Sequence, residues 1–165
     1  MLKKLFNREK EEKSLEIYAP LNGKIIALEE VPDPVFSQKM MGEGIAIEPV
    51  DGKVLSPVNG KIIQVPESKH AVGIEAEDGS EILIHVGLET VALKGEGFTA
   101  KVSQGDKVKV GDELIEFDLA YITEHAEATV TPIVITNSLN SDKTYTLTKE
   151  TEARSGDTVI ITVSK

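Results

Sequence analysis

Two histidines, His70 and His85, lie fifteen residues apart in the segment ESKHAVGIEAEDGSEILIHVGLETV. A neutral imidazole can act as a nucleophile, a base or a metal ligand near neutral pH, because its ordinary pKa is about 6.5. A pair of imidazoles around one small anion could accept a phosphoryl group on one ring and stabilise its oxygens with the other. The spacing therefore raises the question of whether the fold brings the two rings together.

A hairpin is the element that would position this pair. The dipeptide Asp78-Gly79 predicts a tight turn between two runs of strand-forming residues. With a turn centred there, Val72 pairs with His85, and His70 becomes the diagonal neighbour of His85 on the same face. Such neighbours lie about 7–8 Å apart at Cα, so their side chains can meet. A three-residue loop would instead place the histidines on opposite faces.

Two nearby residues could support phosphoryl chemistry at the pair. The carbonyl of Gly87, two residues after His85, could bind one ring nitrogen and fix the tautomer. The hydroxyl of Ser68, two residues before His70, could orient the other ring. This arrangement requires neither a metal ion nor a pair of carboxylates, so the sequence predicts no cofactor.

Two alternatives remain open at this point. Both histidines could be buried core residues, although two on one face of one hairpin make that less expected. Zinc could bind instead, since it takes histidines together with a carboxylate, but the chain has no HExxH motif and no cysteine. The third histidine, His125, is distant in sequence and is predicted to lie on the surface. The carboxylates available to a metal would be Asp33, Glu67, Glu75 and Glu89.

Composition narrows the class of protein. The chain has 165 residues, no cysteine and a formal net charge of −10, which disfavours a disulfide scaffold and binding to nucleic acid. Residues 1–13 contain five Lys or Arg and three Glu, and they predict a flexible charged tail over residues 1–14. Leu2, Leu5 and Phe6 would allow at most a peripheral membrane contact. No apolar segment predicts a secretory signal or a membrane span, so the expected location is the cytoplasm.

Short strand-like runs separated by Gly, Pro, Asn and Asp predict the fold class. Turn signals recur every eight to twelve residues after Ser14, a pattern typical of a compact antiparallel β-sandwich or barrel-like domain. Helical periodicity is weak, and residues 121–126 are the best candidate for a short helical turn. No linker divides the rest of the chain, so residues 15–165 are expected to form a single domain.

One internal repeat is visible. APLNGKII at residues 19–26 is followed by SPVNGKII at residues 56–63. Asn-Gly predicts a tight turn and the Ile pair predicts the start of a strand, which gives two similar β-turn-β units. The later run GDKVKVGDELIEFD, residues 105–118, predicts a further strand pair.

The run ILIHVGLETVALKGEGF, followed by GDKVKVGDELIEFD, resembles the glucose-type enzyme IIA component of the phosphoenolpyruvate-dependent sugar phosphotransferase system. The segments at residues 19–49, 56–75 and 130–137 are similar to the same family. The resemblance implies a β-sandwich that accepts a phosphoryl group from the histidine-containing phosphocarrier protein. The acceptor would be a cysteine of the IIB domain of a membrane sugar permease.

The resemblance also assigns residues. It implies that His85 carries the phosphoryl group, that His70 stabilises it, and that Ser68, at a position where the family usually has Thr, orients His70. Acidic positions near the site correspond to Asp33 and Glu89. Further implied partner-binding residues form an apolar docking rim, which consists of Val35, Phe36, Met40, Met41, Val72, Leu83 and Val91.

This chain departs from the family at several rim positions, where Pro66, Val72 and Leu83 replace Phe residues of other members. The departures concern the choice of partner rather than the chemistry.

Two other functions remain open. A regulatory binding protein could use the same histidine patch, and a biotinyl or lipoyl carrier could present Lys24 or Lys61 beside an Asn-Gly turn, although the flanking residues of such carriers are missing.

Overall fold

Short runs of alternating and β-branched residues form antiparallel strands throughout residues 14–165, the part of the chain that this computed structural model describes. The predicted all-β class with short helical turns is confirmed. The strands are β1 (Leu15–Tyr18), β2 (Gly23–Ala27), β3 (Glu43–Pro49), β4 (Lys53–Leu55), β5 (Gly60–Gln64), β6 (Ala71–Ala76), β7 (Glu81–His85), β8 (Phe98–Ala100), β9 (Lys107–Val108), β10 (Glu113–Phe117), β11 (Thr131–Ile135), β12 (Thr144–Leu147), β13 (Glu152–Ala153) and β14 (Val159–Ser164).

Three antiparallel sheets contain these strands. The largest has eight strands in the order β13-β2-β3-β11-β7-β6-β5-β9, and the two smaller sheets are β1-β14-β12 and β4-β10-β8. Strands β6 and β7, which begin just after His70 and end at His85, lie inside the large sheet. Because β11 and β5 pair with their outer edges, the hairpin is held from both sides.

The large sheet is covered on both faces near this hairpin. Ile84 belongs to the main core, which extends from Ile17 to Val163. On the other face, Leu83 packs against a second buried cluster, whose members include Val134. Strand β11 is accordingly buried along its whole length, which explains why TPIVI is apolar rather than alternating.

Two short α-helices and two 3₁₀ turns complete the described chain. Helix α1 (Pro34–Ser37) begins at Asp33, whose carboxylate accepts a hydrogen bond from the Val35 N–H. Helix α2 (Leu119–His125) begins at Asp118 in the same way. The helical turn predicted over residues 121–126 is therefore confirmed. The 3₁₀ turns are Leu28–Glu30 and Thr90–Leu93.

The Asn-Gly repeat does begin two strands, β2 and β5, but its turn chemistry differs from the prediction. Gly60 has no positive φ angle, so it does not form the predicted tight turn. A Cβ at Gly23 or Gly60 would instead overlap a carbonyl oxygen of the neighbouring strand. The Asn59 side chain accepts a hydrogen bond from the Val110 N–H at 2.9 Å. The dipeptide thus serves close strand approach and loop bracing.

The strand pair predicted from GDKVKVGDELIEFD is wrong. Strand β9 pairs with β5 in the large sheet, whereas β10 pairs with β4 and β8 in a separate sheet. Lys24 and Lys61, the residues considered for a carrier module, lie within β2 and β5 opposite partner strands. Neither lysine occupies the exposed hairpin tip that a carrier of that type presents.

Candidate active site

The β6–β7 hairpin has a register one residue away from the predicted one. His85 pairs with Ala71, and Ile84 pairs with Val72. The loop has three residues, since the Ala76 N–H donates to the Ser80 carbonyl at 2.8 Å. Side chains alternate along a strand, so Val72 faces the main core rather than the face of His85.

His70 nevertheless meets His85, because it lies just before β6, outside the regular strand. The preceding residue, Lys69, has a left-handed backbone with φ of 56°, so strand alternation does not carry back to His70. The His70 carbonyl accepts a hydrogen bond from the Val86 N–H at 2.7 Å. The two imidazole centroids are 4.9 Å apart and the rings meet edge to face at 82°.

The Ser68 hydroxyl lies 2.5 Å from Nδ1 of His70, as an orienting group should. His70 itself is only 8% exposed. Burial, and then the neighbouring His85, lower the pKa of His70 to about 4. The ring is therefore neutral at pH 7. If the Ser68 hydroxyl donates to Nδ1, the proton of the neutral ring lies on Nε2.

On His85, Nδ1 is 2.8 Å from the carbonyl oxygen of Gly87. A carbonyl only accepts hydrogen bonds, so Nδ1 carries the proton in the neutral ring and Nε2 keeps its lone pair. Burial lowers the pKa of His85, opposed by the bond to Gly87 and by the carboxylates of Asp33 and Glu89. The ring is thus a neutral nucleophile at Nε2 near pH 7.

The Gly87 carbonyl is aimed by a backbone that only glycine suits. Gly87 has φ of 71°, and a Cβ there would lie 2.8 Å from the Ala128 carbonyl oxygen and 2.8 Å from Cγ2 of Thr90. The next residue is fixed as well, because the Leu88 N–H donates to the Ala128 carbonyl at 2.9 Å. The carbonyl that was predicted to fix the tautomer is therefore held in place by close packing and by a neighbouring backbone hydrogen bond.

Phe36 forms one wall of the site. Its ring centroid lies 5.2 Å from that of His85 at an angle of 57°. The side chain is 5% exposed and belongs to the buried cluster beneath helix α1. Phe36 was expected in an exposed docking rim, but it supports His85 from within the protein.

The other rim residues divide into exposed, half-buried and buried positions. Val35, Met40 and Val91 have 40%, 62% and 55% of their surface exposed. Met41 and Leu83 are half-buried against the second cluster. Val72 is fully buried in the main core, so its expected place at a docking surface is wrong. The exposed positions lie on residues 31–42, the segment that contains Phe36, and on residues 86–94, the segment that follows His85 in the chain.

His125 is separate from the pair, as predicted. It lies at the end of α2, exposed, with its ring stacked on Tyr121 at a centroid distance of 4.1 Å. Among residues 14–165, no group of three or more His, Cys, Asp or Glu side chains is arranged to hold a metal ion. The alternative of an intrinsic zinc site therefore has two histidines but no third ligand within the described chain.

Thr90 is a site neighbour that the sequence analysis did not single out. Its side chain is fully buried, and its hydroxyl donates to the Val86 carbonyl at 2.6 Å. The signal in the sequence was a hydroxyl residue five positions after His85, followed by the apolar run Val91–Leu93, since a buried hydroxyl must find a hydrogen-bond partner.

An all-β fold with a nucleophilic imidazole beside a second neutral imidazole is suited to carrying a phosphoryl group between proteins. Residues 15–141 match the family described as phosphoenolpyruvate-dependent sugar phosphotransferase system, EIIA 1. The chain belongs to this family and is a phosphotransferase that relays phosphoryl groups within the phosphotransferase system.

Relatives cover nearly the whole chain. A protein named PTS system glucose-specific EIIA component, from Halalkalibacterium halodurans, is 52% identical over 99% of this chain and 98% of its own. A protein of the same name from Staphylococcus aureus is 47% identical over 99% of both chains. The solved structure of glucose permease IIA from Mycoplasma capricolum is similar with a TM-score of 0.84, at 41% identity, over 90% of this chain and 95% of that one.

Within residues 14–165, no helix has both the length and the apolar character that crossing a bilayer requires. Residues 1–13, for which a peripheral membrane contact was predicted, lie outside the described residues.

Proposed function

We propose that His85 takes a phosphoryl group on Nε2 from the histidine-containing phosphocarrier protein and passes it to a cysteine of the IIB domain of a glucose permease. Residues 15–165 would act as one IIA domain in the cytoplasm. The hydrogen bond from His85 Nδ1 to the Gly87 carbonyl at 2.8 Å carries this proposal. It leaves the lone pair on the nitrogen that must attack phosphorus.

The chemistry balances without a further reactant. The Nε2 lone pair of His85 attacks the phosphorus, and the donor's phosphorus–nitrogen bond breaks, returning its electron pair to the donor imidazole. In the second step a cysteine thiolate attacks the same phosphorus, and the bond to Nε2 breaks. The ring returns to its neutral form with the proton still on Nδ1.

His70 would stabilise the phosphoryl group without becoming charged. With the Ser68 hydroxyl donating to its Nδ1, the neutral His70 ring can donate a hydrogen bond from Nε2 to a phosphoryl oxygen. The pKa of about 4 supports a neutral donor at cellular pH. A donor positioned before the reaction requires little reorganisation as charge moves onto the phosphoryl oxygens.

The surroundings of His85 fit brief docking of two partners. Val35, Met40 and Val91 offer exposed apolar area; the first two flank Phe36, which packs on the His85 ring, and Met adapts to differently shaped surfaces. Asp33 and Glu89 are close enough to raise the pKa of His85, and we propose that they steer a basic partner face. Glucose as the transported sugar is proposed from the names of the relatives.

The test is phosphoryl transfer in a mixture of phosphoenolpyruvate, the general enzyme I, the phosphocarrier and this protein. Wild type, His85→Ala, His70→Ala and the matched control His125→Ala are compared, and the labelled residue is read by mass spectrometry at neutral to alkaline pH. We expect labelling of every form except His85→Ala, and loss of onward transfer to a glucose-permease IIB domain in His70→Ala. Labelling of His85→Ala, or an unlabelled wild type, would contradict the proposal.

A further inference from the structure

Thr90 lies where it can control the two peptides that follow His85. It begins the 3₁₀ turn Thr90–Leu93, directly after Glu89, which has a left-handed backbone with φ of 60°. Its side chain is fully buried, and its hydroxyl donates to the Val86 carbonyl at 2.6 Å. The hydroxyl therefore satisfies a backbone acceptor inside the protein rather than meeting solvent.

The peptide groups of Val86 link the two halves of the site. The Val86 N–H donates to the His70 carbonyl at 2.7 Å, while the Val86 carbonyl accepts from Thr90. One residue next to His85 is thus tied to the backbone of His70 on one side and to Thr90 on the other. Loss of either bond would free the segment that sets the spacing of the two histidines.

The methyl group of Thr90 acts on the next peptide. A Cβ on Gly87 would lie 2.8 Å from Thr90 Cγ2 and 2.8 Å from the Ala128 carbonyl oxygen. Thr90 and Ala128 therefore pack closely against the side of Gly87 on which a side chain would lie. The carbonyl of this same Gly87 accepts the hydrogen bond from His85 Nδ1.

We infer that Thr90 is a positioning residue for the phosphoryl acceptor, and that it acts through Val86 and Gly87 to keep the proton of His85 on Nδ1. The hydroxyl carries this role because it holds the Val86 carbonyl, whereas the methyl group packs beside Gly87 and is not required for it. The inference rests on the proposed function, since it concerns which nitrogen of His85 is available to attack phosphorus.

Three variants separate this role from a general contribution to the fold. Thr90→Val keeps the shape but removes the hydroxyl, and Thr90→Ser keeps the hydroxyl but removes the methyl group. Ser56→Ala is the matched control, because Ser56 is fully buried and its hydroxyl donates to the Val58 carbonyl at 2.7 Å, far along the chain from His85. It should lower stability by a similar amount without touching the site.

The first readout is the tautomer of His85 in the unphosphorylated protein, from the ¹⁵N chemical shifts of the imidazole nitrogens. We expect a single form protonated at Nδ1 in wild type, Thr90→Ser and Ser56→Ala, and a mixture of tautomers in Thr90→Val. The second readout is the rate of His85 phosphorylation, which should fall about fivefold in Thr90→Val and stay within about twofold of wild type in Thr90→Ser.

A single Nδ1–H tautomer and an unchanged rate in folded Thr90→Val would overturn the inference, as would an equal tautomer change in Ser56→Ala. If Thr90→Val does not fold, Thr90→Cys replaces it, since a thiol is a weak donor of similar size. A single Nδ1–H tautomer of His85 in Thr90→Cys would overturn the inference as well. The tautomer is measured without phosphorylation, so an unlabelled wild type would overturn the proposed function and leave the inference about Thr90 to be judged separately.

Discussion

The imidazole of His70 meets that of His85 edge to face, with the ring centroids 4.9 Å apart. Each ring has a partner at Nδ1, which is the Ser68 hydroxyl for His70 and the Gly87 carbonyl for His85. The Nε2 atom of each ring is therefore available for the reaction. In His70 it donates a hydrogen bond, and in His85 it is the nucleophile. Burial keeps both rings neutral, which this division of roles requires.

The lowered pKa of His70 predicts a specific pH dependence of stability. In the unfolded chain the pKa is near the ordinary 6.5, whereas in the folded protein it is about 4. The unfolded state therefore binds a proton first as pH falls, so stability present above pH 6.5 is lost progressively toward pH 4. Urea unfolding at about pH 7.5 and about pH 4.5 should show a larger loss for wild type than for His70→Gln. Equal losses in the two proteins would contradict this assignment.

The hydroxyl of Ser68 is predicted to act on onward transfer rather than on stability. Ser68→Ala should slow phosphoryl transfer to the IIB domain about fivefold, because the hydrogen bond to His70 Nδ1 is lost. Ser68→Thr keeps the hydroxyl and should restore the rate, and Ser103→Ala, on an exposed loop, serves as the control. Rapid-quench measurement of the phosphorylated IIA protein gives the rate. A Ser68→Ala protein as fast as the control would show that the hydroxyl does not orient His70.

Asp33 and Glu89 are predicted to steer the phosphocarrier through their charge. The Asp33 carboxylate also accepts the Val35 N–H at the start of α1, so a charge reversal would disturb the helix as well. Asp33→Asn keeps an acceptor, and the double variant with Glu89→Gln should lower the association rate and weaken its dependence on salt. Glu150→Gln, which removes an exposed charge elsewhere, is the control. An unchanged rate and salt dependence in the double variant would exclude steering.

Val72 and Val91 should respond to substitution in opposite ways. Val72→Ala removes fully buried methyl groups and should lower the free energy of unfolding by about 1–3 kcal/mol, with partner affinity unchanged. Val91→Ser should leave unfolding unchanged but weaken binding of the phosphocarrier. Val50→Ser, at a residue 68% exposed in the turn after β3, is the control. Urea unfolding and calorimetric titration separate the two effects. If Val91→Ser binds the phosphocarrier with full affinity, Val91 does not belong to the docking surface.

The fold class could be read from the sequence, because short β-branched runs and turn residues leave few other architectures. The strand order could not, since the pairing of β11 with β3 and β7 joins segments far apart in the chain. The structural role of the two Asn-Gly dipeptides could not be predicted either. A glycine needed because a neighbouring carbonyl approaches closely, as at Gly60, has the same sequence signature as a turn.

The meeting of His70 and His85 was predicted correctly, although the predicted register was wrong. Asp78-Gly79 suits a short turn, but the loop also includes Glu77, and a shift of one residue exchanges the faces of a strand. His70 still lies on the side of His85, because the left-handed backbone of Lys69 interrupts the strand alternation directly before it. Residue type gives little warning of that conformation, because it is uncommon for lysine. The one-residue shift in register also explains why Val72, which was predicted at a docking surface, is buried in the main core.

The bridge between Leu88 and Ala128 connects residues forty positions apart, whereas the two histidines belong to one hairpin with a three-residue loop. In kinetic terms these are different events. A hairpin can form within about 1–10 µs, while distant contacts must first overcome the entropy of closing a long loop. The histidines can therefore come together early, but His85 should acquire its reactive nitrogen only when the distant segment has docked. Competence for phosphorylation would then appear at the rate of complete folding rather than at the rate of hairpin formation.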